Sequence, residues 1–126
     1  MRNFTVLIVL MILILTYSCE DNRVPSGIDA YIYWAECDTM QAFLKYDGMV
    51  YFVPSARFNE VNDSTWNSIK TTFDSSLCYN GFLSDFLEPG EYIAEPDTFI
   101  NILSPEIFIV EPDLLKKVEI RFVYCQ

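Results

Sequence analysis

Two copies of the tripeptide Glu-Pro-Asp carry the carboxylates whose spacing could do chemistry in this chain. The first copy holds Glu95 and Asp97, and the second holds Glu111 and Asp113. Each copy follows an apolar run that begins with an aromatic residue. Residues 98–110 between them are predicted to form a hairpin, which would bring both copies to the same end of a sheet. Four carboxylates gathered there could hold Ca²⁺, which prefers oxygen ligands from acidic loops.

A structural interpretation of these two turns is favoured over a calcium site. Proline ends a strand, and the flanking carboxylates then solvate the turn. The sequence also lacks the spaced Asp-x-Asp-x-Asp ladder with which loops surround calcium. The same carboxylates could form a glycosidase pair, but a chain this acidic supplies such pairs by chance. We therefore expect no metal and no cofactor, and keep the four carboxylates only as candidate binding groups.

Histidine is absent from the chain. Its absence excludes Ser-His and Cys-His nucleophilic catalysis, histidine-ligated zinc and the usual general base near neutral pH. We therefore expect no catalytic residue, and a protein that is not an enzyme.

Aromatic residues make up 16% of the chain and suggest a different kind of site. Exposed rings could stack on a sugar or contact a peptide. Packing in the core of a small domain is the favoured interpretation of most of them. Trp66 is kept as a candidate binding residue because it lies in the least regular part of the sequence. The aromatic residues considered are Tyr31, Tyr33, Trp34, Trp66 and Tyr79.

The N-terminus has the three parts of a secretory signal peptide. A short basic start is followed by an uncharged apolar run from Phe4 to Leu15, and the small residue Ser18 precedes Cys19. This order is typical of a cleaved signal. From Phe4 to Tyr17 the apolar stretch has 14 residues, fewer than the ~20 that span a bilayer.

Residues 15–19, Leu-Thr-Tyr-Ser-Cys, resemble the lipobox of bacterial lipoproteins. In that family the signal peptide, here residues 1–18, is removed and the cysteine is acylated. The resemblance implies lipidation at Cys19 and a lipid-anchored place in the bacterial cell envelope, on the periplasmic or surface face of the outer membrane. Ordinary signal cleavage, with Cys19 a plain thiol, and an uncleaved membrane helix are the alternatives.

The composition of the mature chain narrows its partners. Cleavage before Cys19 would leave 108 residues, which is one domain of ordinary size. Loss of Arg2 leaves 7 basic and 18 acidic side chains, a formal net charge of −11. This charge argues against nucleic acid, whose phosphates need clustered Lys and Arg, and against docking of the protein surface on anionic lipid. The default explanation of this negative charge is solubility, and the alternative explanation is a basic partner.

Three cysteines follow Cys19, namely Cys37, Cys78 and Cys125, and no two of them form a Cys-x-x-Cys pair. A disulfide can form outside the inner membrane, and the odd count leaves one thiol, which we expect to be a small buried hydrophobe. Cys37 ends the first predicted strand and Cys125 ends the last. Since these strands run side by side in parallel in many sandwiches, we predict a Cys37–Cys125 bridge, with other pairings or no bridge left open.

Turn signals divide the rest of the chain into short strands. Residues 19–28 are predicted to be a polar tether, and residues 29–126 the folded domain. Asp47-Gly48 and Asn80-Gly81 each predict a hairpin with a two-residue turn, because such turns need positive φ at both positions. Residues 88–91, Glu-Pro-Gly-Glu, predict a type II turn.

Residues 54–76 are ambiguous between a long loop with one or two helical turns and a short helix that begins near Asn62. That helix would carry Trp66, Ile69 and Phe73 at helical spacing.

The last strand has the clearest alternation. One predicted face carries Val118, Ile120, Phe122 and Tyr124 toward the core, and the other carries Lys117, Glu119 and Arg121. About eight short strands with frequent turns predict an all-β fold, a single antiparallel β-sandwich of transthyretin-like or immunoglobulin-like type with one irregular loop.

Asn80-Gly81-Phe82, followed by residues 87–92, Leu-Glu-Pro-Gly-Glu-Tyr, resembles a turn signature of transthyretin-like sandwiches. Carboxypeptidase-regulatory-like and Cna B-type domains share this signature. The resemblance covers residues 77–95 and implies a β-sandwich fold. Some members form an isopeptide bond between a Lys and an Asn beside an acid, and this trio is not matched here.

Two functions are consistent with these features. The first is a lipid-anchored, non-enzymatic envelope protein that binds a protein or glycan partner as an accessory, structural or adhesion component. The second is a small acidic inhibitor or immunity-type lipoprotein directed at a basic enzyme, for which the net charge would speed association.

The variant Cys19→Ala tests the lipid anchor. We expect it to leave the membrane fraction of a bacterial host, because acyl chains on Cys19 supply the anchor. Fractionation followed by immunoblotting measures the change, and Cys37→Ala, which should stay with the membrane, is the matched control. Retention of Cys19→Ala in the membrane fraction would contradict the lipoprotein interpretation.

Overall fold

Eight strands form two four-stranded sheets in the computed structural model. The model describes residues 25–36, 42–98 and 106–124, together with Asn3 and residues 6–9. The two sheets enclose one apolar core, so the predicted all-β sandwich is confirmed. The strands are β1 (Gly27–Glu36), β2 (Leu44–Lys45), β3 (Gly48–Pro54), β4 (Asp74–Cys78), β5 (Phe82–Phe86), β6 (Gly90–Pro96), β7 (Phe108–Val110) and β8 (Leu115–Tyr124).

Sheet 1 is built around β1 and contains β1, β2, β5 and β8. One edge of β1 pairs in parallel with β8 along its whole length, from Gly27 opposite Leu115 to Glu36 opposite Tyr124. The other edge of β1 is shared by two antiparallel strands: β5 pairs with its first half and β2 with its second. The first and last strands of the sandwich are therefore neighbours, as the sequence predicts.

Sheet 2 has the strand order β4-β3-β6-β7, and all its pairs are antiparallel. Two short 3-10 helices (Ser55–Glu60 and Lys70–Thr72) and a four-residue α-helix (Trp66–Ile69) lie between β3 and β4. Residues 55–73, which contain all three, are called the cover segment below. They resolve the ambiguity over residues 54–76: three short helices of six, four and three residues follow one another, and β4 begins at Asp74.

Alternation along the strands creates the core between the sheets. In β1, Ile28, Ala30 and Ile32 are completely buried, because residues two apart share a face of a strand. Ile120 and Phe122 of β8 are buried against the same core. Val118 and Tyr124 are partly buried and pack on it, so the predicted core face of β8 is confirmed.

The predicted hairpin at Asp47-Gly48 is wrong. The turn carries the chain from β2 in sheet 1 to β3 in sheet 2, and these two strands do not pair. Asp47 lacks the positive φ that a two-residue hairpin turn requires, and Gly48 has a φ of 140°. The physical reason lies in β3, where residues 50–53 are buried on both faces, which requires a central place in a sheet that is covered on both sides.

The turn at Asn80-Gly81 has the predicted local geometry but not the predicted pairing. Both residues have positive φ, 51° and 79°, as a type I′ turn requires. Tyr79 and Phe82 on either side exchange two backbone hydrogen bonds of 3.0 Å. Beyond this pair the strands separate, because β4 joins sheet 2 and β5 joins sheet 1.

The predictions for the 88–91 turn, for the end of the tether and for residues 98–110 remain to be compared with the structure. Gly90 has a φ of 156° and begins β6, which is far from the ~80° of the predicted type II turn. The tether was predicted to end at residue 28, but Gly27 and Ile28 are buried in β1 and belong to the sandwich. In the hairpin predicted over residues 98–110, residues 99–105 fall outside the described residues.

Tyr46 links the turns that cross between the sheets. Its backbone N–H donates to the carbonyl of Ile32 at 3.0 Å, and its carbonyl accepts from the N–H of Gly81 at 2.9 Å. The Cys78 thiol also donates to that carbonyl at 3.4 Å. The Tyr46 ring packs edge-on against Phe122 at 5.1 Å, and burial raises the pKa of Tyr46 to about 12. Both crossings are thus fixed to β1 and to the core.

Neither half of the predicted Cys37–Cys125 bridge lies within the described residues, so the bridge stays a prediction. The register supports it, since the last pair, Glu36 opposite Tyr124, directly precedes the two cysteines in sequence. Cys78 is a free thiol buried in the core, and burial raises its pKa to about 11.

Non-reducing tryptic mapping of the mature protein tests this pairing, because the three cysteines fall in separate peptides: 24–45, 71–116 and 122–126. We expect the first and third to be linked, and Cys78 to react with a thiol reagent only after denaturation. Such a bridge would stabilise the fold by ~3–5 kcal/mol in the chain-entropy model. A peptide that links Cys78 to either of the others would contradict the strand placement.

Candidate binding face

The two Glu-Pro-Asp copies lie at opposite ends of sheet 2, so the prediction that they meet is wrong. The first copy ends β6, whereas the second follows β7. In the antiparallel pairing of these strands, Val110 lies opposite Gly90 at the start of β6. Six residues of extended strand therefore separate the copies, which is ~20 Å.

This separation removes the basis for a calcium site formed by the two copies. In the part of the chain that the structure describes, no three Asp, Glu, Cys or His side chains gather as metal ligands. Glu111 and Asp113 are exposed in the turn between β7 and β8, where Asp113 has a φ of 57°. Both carboxylates are thus open to solvent at this turn, and their role as binding groups stays a prediction.

Asp97 joins the cover segment to the end of β6. Its carboxylate accepts a hydrogen bond of 2.8 Å from the Lys70 ammonium and one of 3.1 Å from the Tyr51 hydroxyl. The Lys70 hydrogen bond lowers the pKa of Asp97 and raises that of Lys70. Lys70 and Asp97 thus form an ion pair.

Trp66 is buried, so its prediction as an exposed binding residue is wrong. Its ring is 1% exposed and packs edge-on against Tyr51 at 5.4 Å. The indole N–H donates to the Asp97 carbonyl at 2.9 Å. Asn62 begins the turn before the helix, since its side-chain oxygen accepts from the N–H groups of Ser64 and Thr65. Trp66 therefore anchors the cover segment on sheet 2.

The cover segment gives sheet 2 a second apolar cluster on its outer face. Its buried members come from β3, β6 and the cover segment: Tyr51, Val53, Trp66, Phe73 and Ile93. A surface pocket of about 330 Å³ opens beside this cluster and is lined partly by the Lys70–Asp97 ion pair. Asp63 also lines the pocket, so its wall is mainly polar and carries two acidic side chains and one basic one.

Glu95 differs from the other three carboxylates because it is buried. It is 3% exposed, and its Oε2 has no hydrogen-bond partner among the described residues. Burial raises the pKa of Glu95 to about 8, because the charged form loses its hydration. Glu95 and Asp97 thus have separated pKa values, as an acid and base pair would. Glu95 is closed to solvent, however, so the geometry gives a substrate no route to it.

The outer face of sheet 1 contrasts with that of sheet 2, because no described element packs over it. We call this surface the open face. Tyr31 and Phe82 lie opposite each other on β1 and β5, and their ring centroids are 5.4 Å apart. They are 42% and 43% exposed, and Phe86 is 65% exposed. We call these three rings the aromatic strip; Asp29 and Ser84 lie between Phe86 and the other two rings.

Charged side chains flank the aromatic strip and are partly paired. The Arg121 guanidinium contacts Glu119 at 2.8 Å and lies 5.2 Å from the Phe43 ring centroid. The Ser84 hydroxyl donates to Asp29 at 2.7 Å. The cations on the open face are Lys45, Lys117 and Arg121, and the anions are Asp29 and Glu119. The open face therefore has a small positive charge, although the whole chain has a formal charge of −10.

The structure divides the other predicted aromatic residues among different places. Tyr33 follows Tyr31 on the open face, opposite Lys45 and Arg121. Trp34 packs on the core, edge-on to Tyr124 at 5.7 Å. Tyr79 is 79% exposed beside the Asn80-Gly81 turn.

Sequence reasoning missed Phe82 and Phe86 as surface residues. Apolar residues occur on both alternating rows of this segment: Phe82 and Phe86 lie on one row, and Leu83 and Leu87 lie on the other. The period of two was therefore present but did not identify the buried row.

Within the described residues, no helix is long and apolar enough to cross a membrane. Comparisons of the chain with protein-family models, with curated proteins and with solved structures found no match.

The buried carboxyl of Glu95 predicts a pH dependence of stability. Because the folded pKa of Glu95, about 8, lies above its ordinary value of 4.5, the stability that Glu95 contributes is fully present below pH 4.5. It is then lost as the pH rises toward 8, at up to ~1.4 kcal/mol per pH unit. Glu95→Gln should therefore gain stability relative to the wild type between pH 5 and pH 8.5, by roughly 2 kcal/mol or more in urea unfolding.

Glu91→Gln is the matched control, because Glu91 is an exposed carboxylate on the same strand. Its free energy of unfolding should change with pH as that of the wild type does. Parallel pH profiles for Glu95→Gln and the wild type would contradict a raised pKa at Glu95.

Proposed function

We propose that this protein is a lipid-anchored, non-enzymatic binding module of the bacterial cell envelope. Its open face would contact a protein or glycan partner, in an accessory, structural or adhesion role. The kinship with transthyretin-like domains remains a prediction and carries no part of this proposal.

The unequal covering of the two sheets is the observation that carries the proposal. The cover segment buries Tyr51, Ile93 and Trp66 on the outer face of sheet 2. On sheet 1, Tyr31, Phe82 and Phe86 remain exposed within the described part of the chain. Exposed apolar side chains that cluster among polar ones are typical of interaction sites in soluble domains.

The side chains of the open face suit a flat partner surface. Tyrosine and phenylalanine rings supply large contact areas at low conformational-entropy cost, and such residues dominate binding energy at interfaces. Arg121 contacts Glu119 and the Phe43 ring, and these contacts would restrict its guanidinium before a partner binds. Ordered side chains reduce the entropy that binding must overcome.

The short connection to the lipid would keep the open face within the envelope. Cys19 is separated from the start of β1 at Gly27 by residues 20–26. A stretch of this length reaches at most ~28 Å. The partner would therefore be another component close to the same membrane.

The double variant Tyr31→Ala with Phe82→Ala tests this function. The mature chain carrying Cys19→Ala would be mixed with isolated cell envelopes, and the co-sedimenting fraction measured. We expect the double variant to bind at least tenfold more weakly, since each removed ring is worth ~1–2 kcal/mol if it is a central contact. Ile109→Ala is the control, because Ile109 is an exposed apolar residue on sheet 2.

Equal binding of the double variant and the wild type would contradict the proposal, provided that circular dichroism shows both to be folded.

Capture of envelope proteins at low and at high salt distinguishes the proposal from the inhibitor alternative. A basic hydrolase captured only at low salt would favour the inhibitor, because screening removes long-range attraction. Turnover of a substrate that is abolished by changing one carboxylate would contradict both functions.

A further inference from the structure

Strand β8 has the longest open edge among the described strands. It spans Leu115–Tyr124, ten residues, and pairs with β1 on one side only. The other strands that end a sheet have between two and five residues: β2, β4, β5 and β7. Short edges are one way in which proteins avoid unwanted pairing, and β8 does not use it.

The edge protection that β8 does have is charge, at Lys116, Lys117, Glu119 and Arg121. The strand has no Pro or Gly, and its core row from Val118 through Ile120 to Phe122 carries no charge. Its N–H and C=O groups that point away from β1 therefore form a regular row that another strand could complete.

We propose that β8 pairs in antiparallel fashion with β8 of a second copy of this chain. The two-fold axis would pass beside Ile120, perpendicular to the sheet. The two copies of sheet 1 would then become one continuous sheet of eight strands. This is an isologous interface, in which the same strand supplies both sides.

Charge complementarity selects this register. Residues opposite each other in an antiparallel pair lie on the same face of the sheet. With the axis at Ile120, Glu119 of each copy lies opposite Arg121 of the other. The existing contact between Glu119 and Arg121, 2.8 Å long, would become a ring of four alternating charges.

The apolar residues agree with the same register. On the core row, Val118 would lie opposite Phe122 of the second copy, and the two Ile120 side chains would meet at the axis. Lys116 would lie opposite Tyr124 at the ends of the pairing. Nine residues of each strand, 116–124, would take part.

Neighbouring registers are less favourable. An axis at Glu119 also pairs nine residues, 115–123, but it places the two Glu119 carboxylates together and Lys117 against Arg121. Like charges directly opposite each other are destabilising. An axis at Val118 pairs Lys117 with Glu119 but leaves only the seven residues 115–121 of the strand paired.

The proposed dimer does not depend on the binding role of the open face, but it would affect that role. An axis perpendicular to the sheet keeps both outer faces on the same side. The two aromatic strips would then lie on one continuous surface, which would allow two contacts with a repetitive partner.

Charge-swap variants of the mature chain, with Cys19→Ala to prevent acylation, test this dimer by analytical ultracentrifugation. We expect the wild type to dimerise with increasing concentration. Glu119→Arg and Arg121→Glu should each weaken dimerisation by roughly tenfold or more, because each variant places like charges opposite each other twice. Mixing the two single variants should yield a mixed dimer, since the two arginines of one would face the two glutamates of the other.

The double variant Glu119→Arg with Arg121→Glu should dimerise as the wild type does. Lys45→Glu, which changes a charge on the open face away from the β8 edge, should leave the dimer unchanged. The mixing experiment also excludes simple misfolding, because two unfolded variants would not recover a dimer. A wild type that stays monomeric at all concentrations, a dimer that neither single variant weakens, or single variants that stay monomeric when mixed would each overturn the proposal.

Discussion

The parallel pairing of β1 with β8 joins the first and last strands of the sandwich over ten consecutive residue pairs. Because β8 occupies one whole edge of β1, the other edge remains for both β2 and β5. The chain must therefore return to sheet 1 after visiting sheet 2, which explains the crossing turns at Asp47-Gly48 and Asn80-Gly81. Tyr46 fixes both crossings by accepting backbone and thiol hydrogen bonds at one carbonyl. The same pairing leaves the far edge of β8 open.

The two sheets differ in what covers them, and the proposed function rests on this difference. Sheet 2 lies between the main core and the cover segment, so β3 is buried on both faces. The Trp66 indole and the Lys70 ammonium both bond to Asp97, which holds the cover segment in place. This burial also encloses the Glu95 carboxyl. The enclosed carboxyl lowers the stability of the fold near neutral pH, because its charged form loses its hydration. Sheet 1 has only one buried face among the described residues, and its aromatic strip is exposed, where we propose that a partner binds.

Features fixed by local chemistry could be predicted from the sequence, whereas features set by long-range pairing could not. The alternation of β8 identified its core row because the other row is charged, and the positive φ values at Asn80 and Gly81 follow from their residue types. Which sheet a strand joins after each turn depends on the burial of both faces of β3. The residues of a turn do not encode that burial. Trp66 was misplaced for a similar reason: Tyr51 and Asp97, which contact its ring and its indole N–H, are distant in sequence.

Radical footprinting of the anchored protein in intact cells tests the central claim, that the open face is the surface engaged by a partner. The oxidation rates of Tyr31, Phe82 and Phe86 would be compared between cells and the purified mature chain, with Tyr79 and Ile109 as exposed residues away from the strip. We predict that the three rings of the open face are protected several-fold in cells, while Tyr79 and Ile109 react equally in both. Equal oxidation of the open face in cells and in solution would contradict the account.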